Sequence, residues 1–317
     1  MHEVSNWHDY QQVLRRVTTP DEGRPVTVIS NHRTAAADMT VAPHASVIPV
    51  VRHVVNHEQV LRVIDPDTGQ MVERRIGHLP WDLLSSAPVW VGISKASAAA
   101  LREHAVHAGS VCEIHNGVSI PAQVPACSRP KTGRLLVAAV ARTVPWKRLD
   151  HLVRAVADPR LSTAVRLDIY GEAGSHHQDL QVLVREFCAP VRFMGYHSDL
   201  PQSLGGYDLL ATAALQEGFG RGVIDAAGAA VPSLVPNAGA SPEIVVDGLT
   251  GMVYDPADPG DLVSALTDAL LDRGRLLRMG LAARALAEAW YTPGRCAAQY
   301  LSLVIEQARP RSLAAAL

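Results

Sequence analysis

Short apolar runs bounded by turn residues alternate with helical periodicity along most of this chain. In the first third, Val26-Thr-Val-Ile-Ser30, Val47-Ile-Pro-Val-Val51 and Val89-Trp-Val-Gly-Ile93 are apolar on both faces, as strands of a buried parallel sheet are. Ser94 stands where its hydroxyl caps the first turn of a predicted helix over Ala96 to His107. A short strand at Val111 to Ile114 ends on His115-Asn116-Gly117, where Asn-Gly marks a turn. Three prolines between Pro121 and Pro130 punctuate a polar stretch, the best linker candidate.

Beyond that stretch the alternation becomes regular. Strands are predicted at 134–141, 165–170, 191–194, 209–213 and 233–235, and helices at 149–157, 179–187 and 222–230. Two helical stretches, 258–289 with a break near Arg273 and 293–307, close the chain. Repeated β-α alternation predicts an α/β fold, with parallel sheets flanked by helices.

Composition narrows the class. With 317 residues and 48% hydrophobic content, the chain is long enough for two cores. A formal charge of −2 speaks against nucleic acid as a partner, because such proteins carry a basic excess. No apolar window approaches the length of a membrane span. Cys112, Cys127, Cys188 and Cys296 lack the close spacing of metal sites and read as thiols of a reducing cytoplasm. The amino terminus, Met1-His-Glu-Val-Ser-Asn-Trp7, has neither the charged leader nor the apolar stretch of a targeting signal.

Ligands of open parallel sheets bind beyond the carboxyl ends of the strands, and the candidate residues fall there. Arg142 follows the predicted strand 134–141 and Lys147 precedes the next helix, so both cations can converge on one anion. Glu217 follows the strand at 209–213 and precedes Gly218-Phe219-Gly220, whose glycines let backbone amides approach a ligand. Those amides open a helix and can donate to phosphate or sugar oxygens. Asp225, two turns into that helix, can accept two hydroxyl protons. Taken singly, each feature is also compatible with solvated surface charge.

In order and spacing, these segments resemble the retaining glycosyltransferases of the GT-B fold, family 4 type. The resemblance rests on Arg142 to Lys147, Ile169-Tyr-Gly171, Val191-Arg-Phe-Met-Gly195, Glu217 to Ala226, Gly239-Ala-Ser-Pro-Glu243, Asp247-Gly-Leu-Thr-Gly251 and the tail around Trp290. Ser94 and Asn116-Gly117-Val118 are similar to first-domain landmarks of that family. It implies two Rossmann-like domains facing across a cleft: an acceptor-side domain over 1–125, a nucleotide-sugar-binding domain over 126–292, and a terminal helix over 293–317 that crosses back.

The resemblance assigns Arg142 and Lys147 to the donor diphosphate, Glu217 to the transferred sugar and Asp225 to the nucleotide ribose. Gly218, Phe219 and Gly220 would line the donor, and backbone near Gly195 and Tyr196 would meet the base. It implies no cofactor beyond a substrate nucleotide sugar, UDP-linked by expectation, and no metal. The chain's one D-x-D, Asp65-Pro-Asp67, precedes Thr68-Gly69 as a turn would.

Three departures shape the expected substrate. Asp225 stands where the family usually has Glu, and Arg221 where it usually has an apolar residue. A guanidinium facing the sugar would suit a uronate donor such as UDP-glucuronate. The family's first glycine-rich βα unit has no counterpart in Met1 to Gly23, so the first domain reads as abridged, which favours a small acceptor such as an aminocyclitol or a nucleobase like cytosine in secondary metabolism. His53 and His57 lie near where the family carries an acceptor-side histidine. Two alternatives remain open: a regulator that binds nucleotide sugars, and a transferase moving a neutral hexose to a lipid or glycan. A phosphorylase would need a lysine for pyridoxal, and Lys147 already has a phosphate role.

Overall fold

A computed structural model describes the backbone of four early strands and residues 89–104, 111–124 and 133–308. Two compact units result, one within 1–115 and 297–317, the other spanning 116–296.

The first unit contains a parallel sheet in the order β1 (Thr27–Asn31), β2 (Ser46–Val51), β5 (Trp90–Gly92), β6 (Val111–Glu113). A separate antiparallel pair joins β3 (Val60–Ile64) to β4 (Met71–Arg75). This pair was not foreseen, because charged residues interrupt both segments. Asp65-Pro-Asp67 falls between them in sequence and lies outside the described residues. Helix α1 (Lys95–His104) opens with reciprocal hydrogen bonds: Ser97 N donates to Ser94 Oγ at 3.0 Å, and Ser94 N donates to Ser97 Oγ at 2.9 Å. The expected cap is therefore formed, with Ser97 in the role that Glu or Gln plays in a capping box.

The second unit carries a six-stranded sheet in which every pairing is parallel. Its order is β12 (Gly251–Tyr254), β11 (Ser233–Pro236), β10 (Leu209–Ala211), β7 (Leu135–Val140), β8 (Val165–Tyr170), β9 (Val191–Gly195). Leu135, Leu167, Leu209 and Leu234 are all fully buried; β7, β10 and β11 carry no alternating polar face, whereas β8 alternates Arg166 and Asp168 with its buried apolar residues. Around the sheet lie α2 (Leu149–Val156), α3 (His177–Glu186), α4 (Leu200–Leu204), α5 (Arg221–Gly228), α6 (Ser241–Ile244), α7 (Asp261–Leu271) and α8 (Arg273–Trp290), and α9 (Pro293–Ala308) ends the described chain. The break expected near Arg273 is Asp272, whose side chain accepts from Arg275 N and caps α8. Strand β12 and the short helices α4 and α6 went unforeseen. Each is four or five residues long, below the reach of periodicity.

From β7 the chain steps outward to β8 and β9, then returns to β10 on the opposite side. The order thus reverses between β7 and β10, leaving a crevice at their carboxyl ends.

Residues 116–122, placed by sequence on the first-domain side of the linker, pack in the second unit. Val118 N donates to Tyr291 O at 2.8 Å, and Arg284 Nη2 donates to Pro121 O at 2.6 Å. Among the described residues, no helix is long and apolar enough to cross a membrane.

Candidate functional site

A cavity of about 1000 Å³ opens at the β7/β10 reversal. Val140, Ala141 and Arg142 leave β7 along its wall, and Leu210, Ala211 and Thr212 leave β10 opposite them. The remaining wall includes Lys147, Glu217, the first turn of α5, the segment Tyr196 to Gln202, and Ser119 to Pro121.

Arg142 is delivered by a close crossing of two loops. Ala141 N donates to Tyr170 O at 2.8 Å, and a Cβ on Gly171 would stand 2.1 Å from Ala141 O, so only glycine lets the loops touch. Buried Thr143 reinforces the crossing by accepting from Gly174 N through Oγ1 at 2.7 Å. Pro145–Lys147 then winds one 3-10 turn, with Lys147 N donating to Val144 O at 3.1 Å. Arg148 takes the left-handed conformation, φ 51°, and starts α2. Arg142 and Lys147 thereby reach the same cavity.

Lys147 Nζ donates to Glu217 Oε2 at 2.5 Å and sits 4.1 Å from the centre of the Trp146 ring. Glu217 Oε1 accepts from Gly220 N at 3.3 Å. The backbone of Glu217 is held from behind by the 239–240 turn, where Ala240 N donates to Glu217 O at 2.9 Å. A Cβ on Gly239 would lie 2.9 Å from Glu217 N and from Glu217 O.

Gly220, in the left-handed conformation at φ 79°, is the N-cap of α5, and Gly220, Arg221 and Gly222 bring the positive end of that helix to the cavity. Asp225 lies one turn deeper on the same face and is 5% exposed. Burial pushes its carboxyl up to about 6, against a smaller downward pull from Arg221. Arg221 Nε stands 3.7 Å from Asp225 Oδ2, and its side chain is 80% exposed. No hydrogen bond from another described residue reaches the Asp225 carboxylate.

The segment 196–202 is fixed from below. His197 packs edge-on against Tyr170 at 5.0 Å, and the Tyr170 hydroxyl lies 2.9 Å from that of Tyr207. Tyr207 donates to Asp168 Oδ2 at 2.8 Å, while Arg192 forks the same carboxylate from β9 through Nε at 2.9 Å. Burial alone would raise the Asp168 carboxyl, yet these hydrogen bonds and the Arg166 and Arg192 charges hold it below the usual range. The network is structural, and it anchors the loop that Tyr196 begins.

Of the residues singled out in the sequence, Arg142, Lys147, Glu217, Gly220, Arg221, Asp225 and Tyr196 come together on one cavity wall. Gly195, Gly218 and Phe219 do not. Gly195 turns the chain at φ 72° and accepts from Gly171 N at 2.8 Å. Phe219 points away from the cavity, 5% exposed, with its ring 6.0 Å from that of Tyr291. Its part is to anchor the Glu217 turn. His53 and His57 lie outside the described residues. Ser119, His197 and Gln202 were not foreseen as lining residues; only the Asn116-Gly117-Val118 landmark beside Ser119 pointed there.

A parallel sheet with its crevice at the order reversal, lined by Arg142, Lys147 and Arg221, by Asp199, Glu217 and Asp225, and by a helix amino terminus, is an arrangement suited to a ligand that carries both anionic and hydroxyl groups. Residues 125–286 match the family described as glycosyl transferases group 1, and the chain belongs to that family. It is 35% identical over 170 residues to the D-inositol 3-phosphate glycosyltransferase of Nocardia farcinica, covering 50% of this chain and 37% of that protein. The Streptomyces avermitilis protein of the same name is 28% identical over 270 residues, 77% of this chain and 58% of that one. A GDP-mannose-dependent alpha-(1-6)-phosphatidylinositol monomannoside mannosyltransferase of Mycolicibacterium smegmatis is 29% identical over 184 residues, 53% of this chain and 48% of that one. The chain spans less than two thirds of each relative.

Among solved structures, Anabaena HepE in complex with UDP and glucose superposes with a TM-score of 0.72 at 18% identity, over 94% of this chain and 82% of that one. Sucrose-phosphate synthase from Thermosynechococcus elongatus gives 0.76 at 19% identity, over 95% and 77%. At these identities the likeness is one of fold, the α/β arrangement of GT-B glycosyltransferases.

Proposed function

We propose that this chain transfers a sugar, with retained configuration and without a metal ion, from a nucleotide-sugar donor to a small polyol acceptor. The observation that carries this reading is the meeting of Lys147 and Glu217 beside Arg142 in the crevice of the second unit. In this reading the donor diphosphate lies between the two cations and the first turn of α5. Charge growing on the departing diphosphate is stabilised by Lys147, Arg142 and the helix amides. Glu217 accepts hydroxyls of the transferred sugar, and Asp225 accepts those of the ribose. The Tyr196 to Gln202 loop flanks the base.

Names of the relatives support an acceptor of the cyclitol kind over cytosine, since three of them are named for inositol phosphate or phosphatidylinositol. They leave the base open, one being GDP-mannose-dependent, so UDP- and GDP-sugars are both to be tried. The test is release of nucleotide diphosphate from a panel of UDP- and GDP-sugars, with and without inositol, inositol 3-phosphate, an aminocyclitol and cytosine. Acceptor-dependent release supports transfer. Tight donor binding with no release under any acceptor would sink it in favour of a binding regulator.

Arg221 supports a narrower reading. Its guanidinium is largely exposed on the cavity wall, and a donor carboxylate could draw it from Asp225. UDP-glucuronate should then outcompete UDP-glucose, and Arg221→Ala should erase that preference. A wild type that prefers the neutral donor rejects the uronate.

A further inference from the structure

Arg284 is a charged residue on α8 that is only 8% exposed, and it lines none of the cavity described above. Each edge of its guanidinium is nevertheless used. Nε donates to Glu288 Oε1 at 2.8 Å, Nη1 donates to Gly228 O, and Nη2 donates to Pro121 O at 2.6 Å. A weaker contact from Nη2 reaches Ala122 O at 3.4 Å.

These partners belong to two different pieces of chain. Gly228 ends α5, so its carbonyl is one that no helical amide satisfies, and a cation there also meets the negative end of the helix. Pro121 and Ala122 belong to a strap, residues 117–122, that runs without regular structure across the unit. Ser119, Ile120 and Pro121 of that strap line the cavity, as do Arg221 and Asp225 at the other end of α5.

One glycine lets the strap lie close. A Cβ on Gly117 would be 2.5 Å from Pro293 Cα, while one on Gly228 would make ordinary contact with Pro121 Cδ at 3.4 Å and Ile120 Cγ2 at 3.5 Å. At its start the strap is pinned by Val118 N on Tyr291 O at 2.8 Å. At its end Arg284, from α8, bonds both the strap and the end of α5.

We infer that Arg284 is a positioning residue of the donor site: it fixes how far the strap stands from α5 and so sets the width of the cavity between Ser119–Pro121 and the α5 face. This rests on the donor-site reading above. Lysine cannot replace it, because an ammonium lacks the planar fork that serves two carbonyls and a carboxylate together.

The test is calorimetric binding of UDP and GDP, together with melting temperature, for wild type, Arg284→Lys, Gly117→Ala and Leu276→Ala. Gly117→Ala displaces the same strap from its start, where the methyl would meet the Pro293 backbone, while leaving the guanidinium intact. Leu276→Ala removes a buried α8 side chain from the sheet core, away from the strap. Arg284→Lys and Gly117→Ala are expected each to weaken binding of the preferred nucleotide by roughly tenfold. Leu276→Ala is expected to lower the melting temperature and leave binding unchanged. Arg284→Lys and Gly117→Ala variants that bind like wild type while melting earlier would overturn this inference alone. A wild type that binds neither nucleotide overturns the donor-site reading and this inference with it.

Discussion

Lys147 Nζ and Glu217 Oε2, 70 positions apart in the chain, lie 2.5 Å from each other. In the proposed transfer this ion pair joins two groups with opposite duties toward a donor, and a diphosphate placed between them would take the cation while sugar hydroxyls take the carboxylate. Lys147→Met is expected to lower kcat by about 10²–10³, the usual loss when one preorganised donor is removed from a developing negative charge. Nucleotide-release kinetics checks this. A loss confined to KM would show instead that the ammonium acts on binding alone.

Asp225 predicts a conflict between stability and function. Its carboxyl is raised to about 6 in the folded protein from 3.8, so the folded state holds its proton longer than the unfolded state does. The sign follows: stability is full below about 4 and is lost as pH rises through about 6, by roughly 3 kcal/mol. Asp225→Asn should therefore unfold at higher urea than wild type at pH 8 and match it near pH 4. The same variant should bind donor more weakly. In the wild type, donor affinity should fall as pH drops below about 6, because only the carboxylate accepts from both ribose hydroxyls. Titrations of urea midpoint and nucleotide affinity against pH read both arms.

Gly239→Ala should injure the site without touching a ligand. The position has φ 59°, and the added methyl would meet Glu217 N, Glu217 O and Leu215 O at 2.9 Å each. The turn must open or Glu217 must move. A stability loss of roughly 1–3 kcal/mol is expected from the backbone conformation. Transfer should fall further than that loss explains, as kcat measured on the folded fraction would reveal.

Phe219→Ala separates anchoring from contact. With the ring buried against Tyr291, truncation should cost about 3–5 kcal/mol. Phe219→Leu should recover most of the stability and most of the activity. Were the ring a donor contact, leucine would restore folding and leave nucleotide binding impaired.

Much of this was readable beforehand because both units obey local rules. Buried parallel strands such as Leu135–Val140 in the second unit announce themselves as unbroken apolar runs, and in the first unit Ser94 caps α1 through a contact of only three residues. The cavity residues emerged where charge, glycine and spacing coincided, at Arg142, Lys147, Glu217 and Asp225. Orientation was less accessible. Phe219 sits between two glycines that suggested ligand contact, yet its partner Tyr291 is 72 residues on in the chain, and no local pattern encodes that pairing. The strap was missed for a similar reason: three prolines look like a linker, and the tertiary bonds of Arg284 and Tyr291 that hold its first part within the second unit leave no local pattern.

The single 3-10 turn at Pro145–Lys147 gives the five-residue spacing of the two cations an angular meaning. Such a turn advances about 120° per residue. One residue added or removed within Pro145–Lys147 would swing the ammonium about a third of a revolution away from Glu217. The interval is therefore a phase set by winding, and a chain that kept both cations with a different interval would aim them in different directions.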